Sequence, residues 1–298
     1  MRLKRWQWVL LSIAVVLWVA KIALLDGAAA PGPAYTIDLE GLHRAALSGG
    51  ALPSRIEVEQ LAEFGFPRTI VVAGDGFGMH KMVLLSHRVV FSDHTLIIDT
   101  AIGPKAGGSL PGAKLDTAAL ARMQKAMLKS DAILFTHEHV DHVGGVAEAP
   151  SFNAIASKVV MTKAQFNGPK LERKFFPPGG LDQLKLLEYS GLHAVAPGVV
   201  LQMAPGHTPG TQLIYVELAN GARYLFVGDI AWTEDNIRLQ RGRPGIATML
   251  MSEDRPAVAA QLNALAALPK DVHIVVAHDP VAYKRDLARG LFQNGFSE

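Results

Sequence analysis

The stretch FTHEHVDHVGG, residues 135–145, places three histidines and an aspartate within six positions. It follows the apolar run 132–135, which predicts a short buried strand. Asp141 stands where the second histidine of a thermolysin-type H-E-x-x-H helix would be, so that motif is excluded. An H-x-H-x-D-H sequence on a loop after a strand can direct all its ligand-type side chains into one cleft. We therefore predict part of a metal site, formed by His137, His139, Asp141 and His142.

Three further ligand-type residues occur downstream, each where a predicted strand meets a loop. His207 lies in APGHTPG (204–210), Asp229 in LFVGDIAW (225–232) and His278 in VVAHDP (275–280). Any one of them alone would more often be structural, because polar residues are common at strand ends. Three of them in this order after H-x-H-x-D-H extend the predicted metal site.

The composition limits the chemistry of that site. The chain has 298 residues, enough for one large domain or two small ones, and 49% of them are hydrophobic. Cysteine is absent, which excludes disulfides and thiolate catalysis. Any metal must therefore be held by nitrogen and oxygen atoms.

The first 30 residues differ from the rest of the chain. Arg2, Lys4 and Arg5 precede an apolar stretch, 6–25, that Lys21 interrupts. As a helix this stretch is about 30 Å long, the thickness of a bilayer core. We predict a membrane anchor or signal segment over 1–30 and a second domain over 35–298. The basic end should stay in the cytoplasm. The body is then anchored outside it, or is periplasmic or secreted if the leader is cleaved.

The same leader accounts for the basic character of the chain. Without its four basic residues and Asp26, the body has 25 of the 29 basic and 26 of the 27 acidic side chains. A body with this balance is not a basic surface for nucleic acid. We predict a small-molecule substrate, membrane contact through the N-terminal helix, and no nucleic-acid partner.

Apolar and β-branched runs alternate with helical patterns along the body. Asp116 is predicted to cap a helix that buries Leu120, Met123 and Met127, and Ser252 to open a helix that ends at 268. A polar segment, 165–180, is predicted as a flap. This alternation indicates layered α/β packing. The predicted strands are 69–73, 82–85, 89–91, 95–98, 132–135, 158–161, 199–203, 212–218, 223–227 and 272–277.

The ordered motifs resemble the metallo-β-lactamase superfamily over about 69–280, and are closest to its lactonase and glyoxalase II members. The resemblance implies a four-layer αββα sandwich with a two-metal site at the edge of its sheets. It assigns His137, His139 and His207 to the first metal. It assigns Asp141, His142 and His278 to the second. Asp229 would bridge the two metals, and Asp99 in LIIDT (96–100) would support the site from behind the ligands.

The expected reaction follows from such a ligand set. Two metals roughly 3.5–4 Å apart can share one hydroxide and polarise a carbonyl. The prediction is a metal-dependent hydrolase with Asp141 and Asp229 as its catalytic carboxylates. Two divalent ions are expected, with zinc as first choice and iron or manganese as alternatives.

The choice of substrate rests on the resemblance. Typical zinc β-lactamases carry cysteine or serine at the position of Asp229, whereas lactonases and glyoxalase II keep the aspartate. Lactonases often place a tyrosine three residues later, where this chain has Trp232. We predict a lactone or other carboxylic ester as substrate, with Trp232 and Arg238 as substrate contacts. The alternatives are a β-lactam or thioester, a mononuclear iron sulfur-dioxygenase-like enzyme, and a non-catalytic metal-binding protein.

Overall fold

The computed structural model describes residues 4–25, 29–108, 110 and 112–297. Its helices, in chain order, are α1 Arg5–Leu25, α2 Leu39–Ala46, α3 Arg68–Val71, α4 Pro104–Gly107, α5 Thr117–Lys129, α6 Val140–Ala147, α7 Phe152–Ile155, α8 Lys163–Phe166, α9 Glu234–Arg238, α10 Gly245–Met251, α11 Arg255–Ala266 and α12 Pro280–Ala288. Its strands are β1 Arg55–Pro67, β2 Met79–Val90, β3 Thr95–Ile98, β4 Lys114–Leu115, β5 Ala132–Leu134, β6 Val159–Thr162, β7 Leu186–Leu187, β8 Leu192–Ala196, β9 Val199–Met203, β10 Gln212–Glu217, β11 Arg223–Phe226, β12 Val272–Val275 and β13 Gln293–Asn294.

The strands form two sheets in the described part of the chain. The first sheet has the order β13-β1-β2-β3-β5-β6-β7, with β4 also paired to β1. The second has the order β12-β11-β10-β9-β8. In the first sheet β3, β5 and β6 run parallel, so their carboxyl ends meet at one edge. In the second sheet β11 and β12 are likewise parallel.

The two sheets pack face to face, with helices on both outer faces. Strand β10 has every residue buried, which is expected for a strand that is covered on both sides. Its Ile214 and Val216 join the core between the sheets, while Leu213 and Tyr215 pack beneath α2 and α11. On the other outer face, α5 and α6 cover the first sheet. The predicted mixed α/β sandwich is thus confirmed.

Helix α5 illustrates how local sequence sets these layers. The carboxylate of Asp116 accepts hydrogen bonds from the backbone N–H groups of Ala118 and Ala119, both at 2.9 Å, and so caps the helix as predicted. Met123 and Met127 lie one turn apart and are fully buried against the first sheet. The helix thereby fixes the outer layer next to the strand ends that carry the site.

The N-terminal region contains α1, which lies against α3 and α10. Its tryptophans, at positions 6, 8 and 18, are exposed. Among the helices of the described residues, none has the length and apolarity that a membrane crossing requires. Residues 1–3 and 26–28 of the predicted anchor or signal lie outside the described residues, and the anchor or signal at 1–30 stays a prediction.

Several predicted elements differ from the structure. The run 69–73 was predicted as a strand, but its first residues belong to α3. The predicted strands 82–85 and 89–91 are parts of one strand, β2, paired with the unpredicted β1. Ser252 ends α10 in a left-handed conformation (φ 60°), and α11 is capped instead by Asp254. The segment 165–180 contains the end of α8 and irregular turns.

Candidate metal centre

The H-x-H-x-D-H motif spans a strand end and the start of a helix. His137 follows β5 and is completely buried. His139 occupies the N-cap position of α6 without using its side chain as a cap, which leaves the imidazole free. Asp141 and His142 lie in the first turn of α6, not on a loop as predicted from the sequence. The strand-to-helix junction thus directs both halves of the motif toward one cavity.

A first group of ligand-type atoms forms around His139. Its Nδ1 atom lies 3.0 Å from His137 Nε2 and 3.0 Å from His207 Nε2. Asp229 Oδ2 lies 3.3 Å from His207 Nε2 and 3.7 Å from His137 Nε2. The loop after β9 supplies His207, and a 3₁₀ turn after β11 supplies Asp229. These are the residues that the family resemblance assigns to the first metal, together with the bridging aspartate.

A second group uses the other oxygen of the same aspartate. Asp229 Oδ1 lies 3.1 Å from His142 Nε2 and 3.0 Å from His278 Nε2. Asp141 Oδ2 lies 3.8 Å from His142 Nε2 and 3.6 Å from His278 Nε2. Within each group the ligand atoms lie within 4.8 Å of one another. The structure therefore brings all seven predicted ligands together and places Asp229 between the two groups.

The residues present fit two divalent cations. The buried atoms His142 Nε2 and Asp229 Oδ1 make no hydrogen bond, although they face each other. Unpartnered buried polar atoms are costly, so their convergence is typical of a site that binds an ion. The donors are imidazole nitrogens and carboxylate oxygens, a set that suits zinc, iron or manganese.

Outer hydrogen bonds orient most of these imidazoles. His142 Nδ1 lies 2.9 Å from Asp99 Oδ2, and His278 Nδ1 donates to the carbonyl oxygen of Val83 at 3.0 Å. Asp99 also accepts a hydrogen bond from the backbone N–H of Thr136 at 2.8 Å. Because Nδ1 carries the proton in these pairs, Nε2 is left to bind a metal. Asp99 thus lies where the sequence predicted a supporting residue.

The electrostatics favour metal-binding protonation states for most of the site. Burial lowers the pKa of His137 well below its ordinary value and that of His139 to about 3. Burial opposes ionisation of Asp229, but the neighbouring histidines, His278 foremost, outweigh it and hold the pKa of that carboxyl well below its usual range. At neutral pH these groups are neutral imidazoles and a carboxylate, the forms that ligate metals.

His207 and His142 are the exceptions among the buried imidazoles. Burial and the charge of Arg243 would lower the pKa of His207, but hydrogen bonds to Asp229 and Glu253 raise it above the ordinary value. The upward shift is larger at His142. Burial alone would lower its pKa, but the carboxylates of Asp99, Asp229 and Asp141 outweigh that effect and raise it well above the ordinary value. Metal binding through Nε2 would therefore require this ring to release a proton.

A cavity of about 420 Å³ opens directly over the two groups. Its floor contains His139, Asp141, Asp229 and His278. Its walls are mainly apolar and are formed by Phe64, Phe66, Met82, Leu110, Val140, Pro169, Leu171, Trp232, Leu250 and Met251. Such a cavity suits a small molecule whose reacting group lies at the floor and whose apolar part contacts the walls.

The two predicted substrate contacts differ in position. Trp232 lines the cavity, and its indole N–H donates to Asp229 Oδ2 at 2.6 Å. The tryptophan therefore does not offer its polar atom to a substrate as a lactonase-type tyrosine would. Arg238 is exposed, pairs with Asp235 and lies outside the cavity lining. The structure gives no support to Arg238 as a substrate contact.

Comparison with known proteins agrees with this geometry. The sequence profile described as the metallo-beta-lactamase superfamily matches residues 85–278, which is more than half of the chain. The chain belongs to this superfamily. The matched segment contains all seven predicted ligands of the metallo-β-lactamase pattern and Asp99.

Two curated members of the superfamily illustrate the sequence similarity. An N-acyl homoserine lactonase from Bacillus sp. is 28% identical over 104 residues, 35% of this chain and 40% of the relative. A hydroxyacylglutathione hydrolase from Albidiferax ferrireducens is 31% identical over 160 residues, 54% of this chain and 53% of the relative. The chain thus spans about half the length, or less, of these relatives.

Solved structures show the same fold. An N-acyl homoserine lactone hydrolase, with the product N-hexanoyl-L-homoserine bound at its catalytic metal center, superposes with a TM-score of 0.61 at 16% identity. The match covers 78% of this chain and 96% of that one. AidC, a dizinc quorum-quenching lactonase, gives a TM-score of 0.55 at 18% identity, over 76% of this chain and 89% of that one. At this level of identity the likeness concerns the fold alone.

Sequence reasoning missed two residues that touch the centre. Glu253 Oε2 lies 2.7 Å from His207 Nδ1, and Arg243 donates to the backbone carbonyl of Asp229 at 2.8 Å. Arg243 lies five residues after Arg238, which was predicted as a substrate contact. Nothing in the residue pattern distinguishes a buried arginine there from its exposed neighbours Arg238 and Arg241.

Proposed function

We propose that this chain is a two-metal hydrolase of lactones or other carboxylic esters that carry an apolar substituent. The supporting observation is the cavity, which combines a floor of ligand-type side chains with walls that are mainly apolar. The sequence similarity to a lactonase supports the same reaction class.

Different side chains have different roles in the proposed reaction. Two divalent ions held by the two groups would supply Lewis acidity and lower the pKa of a water molecule. The apolar walls would hold the acyl or alkyl part and exclude bulk water from the carbonyl. Asp141 is part of the cavity floor, and its side chain is 23% exposed, so its carboxylate can accept the proton that hydrolysis releases. Asp229 is buried and is suited to fixing the two groups relative to each other.

The charge of the cavity favours an ester over a large anionic thioester. Apart from the floor, its charged residues are Lys170 and Glu172. Lys170 already donates to the backbone carbonyl of Leu250 at 3.1 Å. The described walls therefore present little unengaged positive charge to an anionic substrate.

A thioester is the second candidate, because the alignment with the hydroxyacylglutathione hydrolase extends over more of the chain than the lactonase alignment. Zinc is our first choice of metal, since a histidine and carboxylate set of this kind is typical of zinc hydrolases. The presence of Asp141, His142 and His278 around one point supports two ions rather than a single iron.

Export of the body is a separate proposal that rests on the sequence. Its support is the basic start of the chain, followed by the apolar stretch 6–25. Export is tested by fractionating cells that express either the full chain or a form that lacks residues 1–30. Cytoplasmic recovery of both forms would contradict export.

The reaction is tested by metal analysis and a substrate panel on the same preparation. We expect about two zinc ions per chain and turnover of an N-acyl lactone or an aryl ester. The panel also includes a thioester and a cephalosporin, which represent the alternatives. One iron per chain, without hydrolysis of any panel member, would contradict the proposal.

A matched pair of variants separates the site from contaminating activity. Asp229→Asn removes the charge shared by both groups and should lower kcat/KM at least about a hundredfold, since even outer-shell changes cost 10–100-fold. The control variant is Asp235→Asn, because Asp235 forms a surface ion pair with Arg238. It should keep kcat/KM within about twofold of the wild-type value. Equal activity of both variants would place the reaction elsewhere.

A further inference from the structure

A buried ion pair lies beside the metal centre but outside its ligand set. Arg243 and Glu253 have side chains that are 0% and 1% exposed. The guanidinium donates to Glu253 Oε2 through Nε at 2.7 Å and also through a terminal nitrogen. Removing two charges from water is costly, and an apolar pair of the same size is often as stable. Stability alone is therefore a weak reason for this pair to be here.

The ion pair contacts both groups of ligand-type atoms, through the buried residues His207 and Asp229. Glu253 Oε2 lies 2.7 Å from His207 Nδ1, so the ring donates its proton there and leaves Nε2 for a metal. Arg243 donates to the backbone carbonyl of Asp229 at 2.8 Å. Its guanidinium also lies 4.9 Å from the ring centre of Trp232, whose indole N–H donates to Asp229 Oδ2. One ion pair thus orients a ligand of the first group and the aspartate common to both.

The same two residues bracket helix α10. Arg243 lies two residues before its start, and Glu253 lies two residues after its end. The backbone N–H of Glu253 also donates to the carbonyl of Thr248 within the helix, at 2.8 Å. Leu250 and Met251, at the end of α10, form part of the cavity wall. A change at the metal centre can therefore reach the wall through the ends of α10.

We propose that Arg243 and Glu253 are positioning residues that fix the orientation of His207 and Asp229 for metal binding. Through the same contacts, metal binding would stabilise helix α10, which forms part of the cavity wall. The proposal rests on the metal binding in the proposed function, but not on the identity of the substrate. Neither residue contacts the reacting atoms, so both act through other residues.

The first test measures zinc affinity by competition with a chromophoric chelator on the full chain. Glu253→Gln should weaken zinc binding about 10–100-fold, the usual cost of losing an outer carboxylate. The matched control is Glu57→Gln. Glu57 is also a buried carboxylate paired with an arginine, Arg88, but it lies on β1 and contacts no predicted ligand. The control should keep wild-type zinc affinity within about twofold.

A double variant covers the case in which Glu253→Gln does not fold. Arg243→Met with Glu253→Leu removes both charges and keeps the volume, a change that buried ion pairs commonly tolerate. It should fold and still bind zinc more weakly than wild type. Wild-type affinity in this variant, or in a folded Glu253→Gln protein, would overturn the proposal. So would an equal loss in Glu57→Gln.

The second readout is backbone hydrogen exchange over 245–251. Zinc should slow exchange in this segment of the wild-type chain, and the double variant should lose most of that protection. No effect of zinc on the wild-type segment would overturn the link to α10. A wild-type chain that binds no zinc contradicts the proposed function itself. A chain that binds zinc but hydrolyses no ester contradicts only the proposed substrate class. The zinc-affinity and hydrogen-exchange tests do not depend on the substrate and remain valid in that case.

Discussion

At the scale of single residues, the candidate centre depends on supporting contacts as well as on its ligands, since Glu253 Oε2 lies 2.7 Å from His207 Nδ1. His207, Asp229 and His278 each follow a strand, and their order after the H-x-H-x-D-H motif marks them as a set. Glu253 carries no such mark, because it is 46 positions from His207 and lies in the short connection between α10 and α11. Contacts between loops that are distant in sequence depend on the packing of the whole fold, which residue spacing does not describe.

His87 provides a prediction about pH and stability. Its ring is fully buried on β2, lies 4.9 Å from the ring of Phe226, and leaves Nε2 without a hydrogen bond. Burial lowers its pKa from 6.5 to about 4, although the charges of Asp99 and Asp286 oppose this. The unfolded chain therefore binds the proton more tightly, and stability from this group is lost as pH falls from about 6.5 toward 4.

The test compares wild type with His87→Leu by urea unfolding of zinc-free protein at pH 7.5 and pH 5. The wild type should lose about 2 kcal/mol more than the variant over this interval. Other titrating groups are common to both proteins and cancel in the comparison. Parallel losses in the two proteins would show that His87 does not contribute to the acid sensitivity.

At the scale of elements, apolar periodicity predicted β9 closely and missed β1, which contains buried charges. Strand β9 coincides with the predicted run 199–203. Strand β1 was missed because Glu57 and Glu59 interrupt its apolar pattern, and charged residues are mostly exposed to solvent. Both carboxylates are in fact buried, and they pair with Arg88 and Arg122. Partners on other elements, which the local pattern does not contain, made that burial possible.

Helix α6 gives a prediction about close packing next to the metal centre. A Cβ on Gly145 would lie 2.3 Å from the carbonyl oxygen of Thr100 and 2.5 Å from the methyl of Met123. Gly145→Ala should therefore destabilise the protein by about 1–3 kcal/mol, the range found for overpacked cores.

The matched control is Gly107→Ala at the end of α4. A Cβ there would meet nothing closer than 3.9 Å, so this variant should be neutral or stabilised by up to about 1 kcal/mol. Thermal and urea unfolding of both variants make the comparison. Equal stability of the two would show that the loop before α4 moves easily away from α6.

At the scale of the whole molecule, the sequence predicted the layered architecture through family resemblance, and the structure confirms the sandwich. What the sequence did not contain is how the layers meet. His137, His139 and His142 follow a strand of the first sheet, whereas His207, Asp229 and His278 follow strands of the second. The candidate centre is therefore a junction between the two sheets. The family profile covers the residues of the centre but does not describe this mechanical role.

Metal removal should accordingly lower the stability of the entire sandwich. Each ion at a hundred times its dissociation constant adds about 2.7 kcal/mol. For a chain of this size, chelation should lower Tm by roughly 5–15 °C. Calorimetry with EDTA, followed by readdition of zinc, measures the shift and its reversal. Asp229→Asn should show little further loss on chelation. An unchanged Tm in the wild-type protein would mean that the ions do not couple the sheets.

Asp229 gives one oxygen to each ligand group, and this has a consequence for how the centre fills. Binding of a first ion would fix the orientation of that carboxylate. A second ion would then bind an oxygen whose orientation is already set. Loading should therefore be cooperative despite the mutual repulsion of the cations. Chains with a single ion would then be a minor population, and the centre would act as a unit that is either complete or empty.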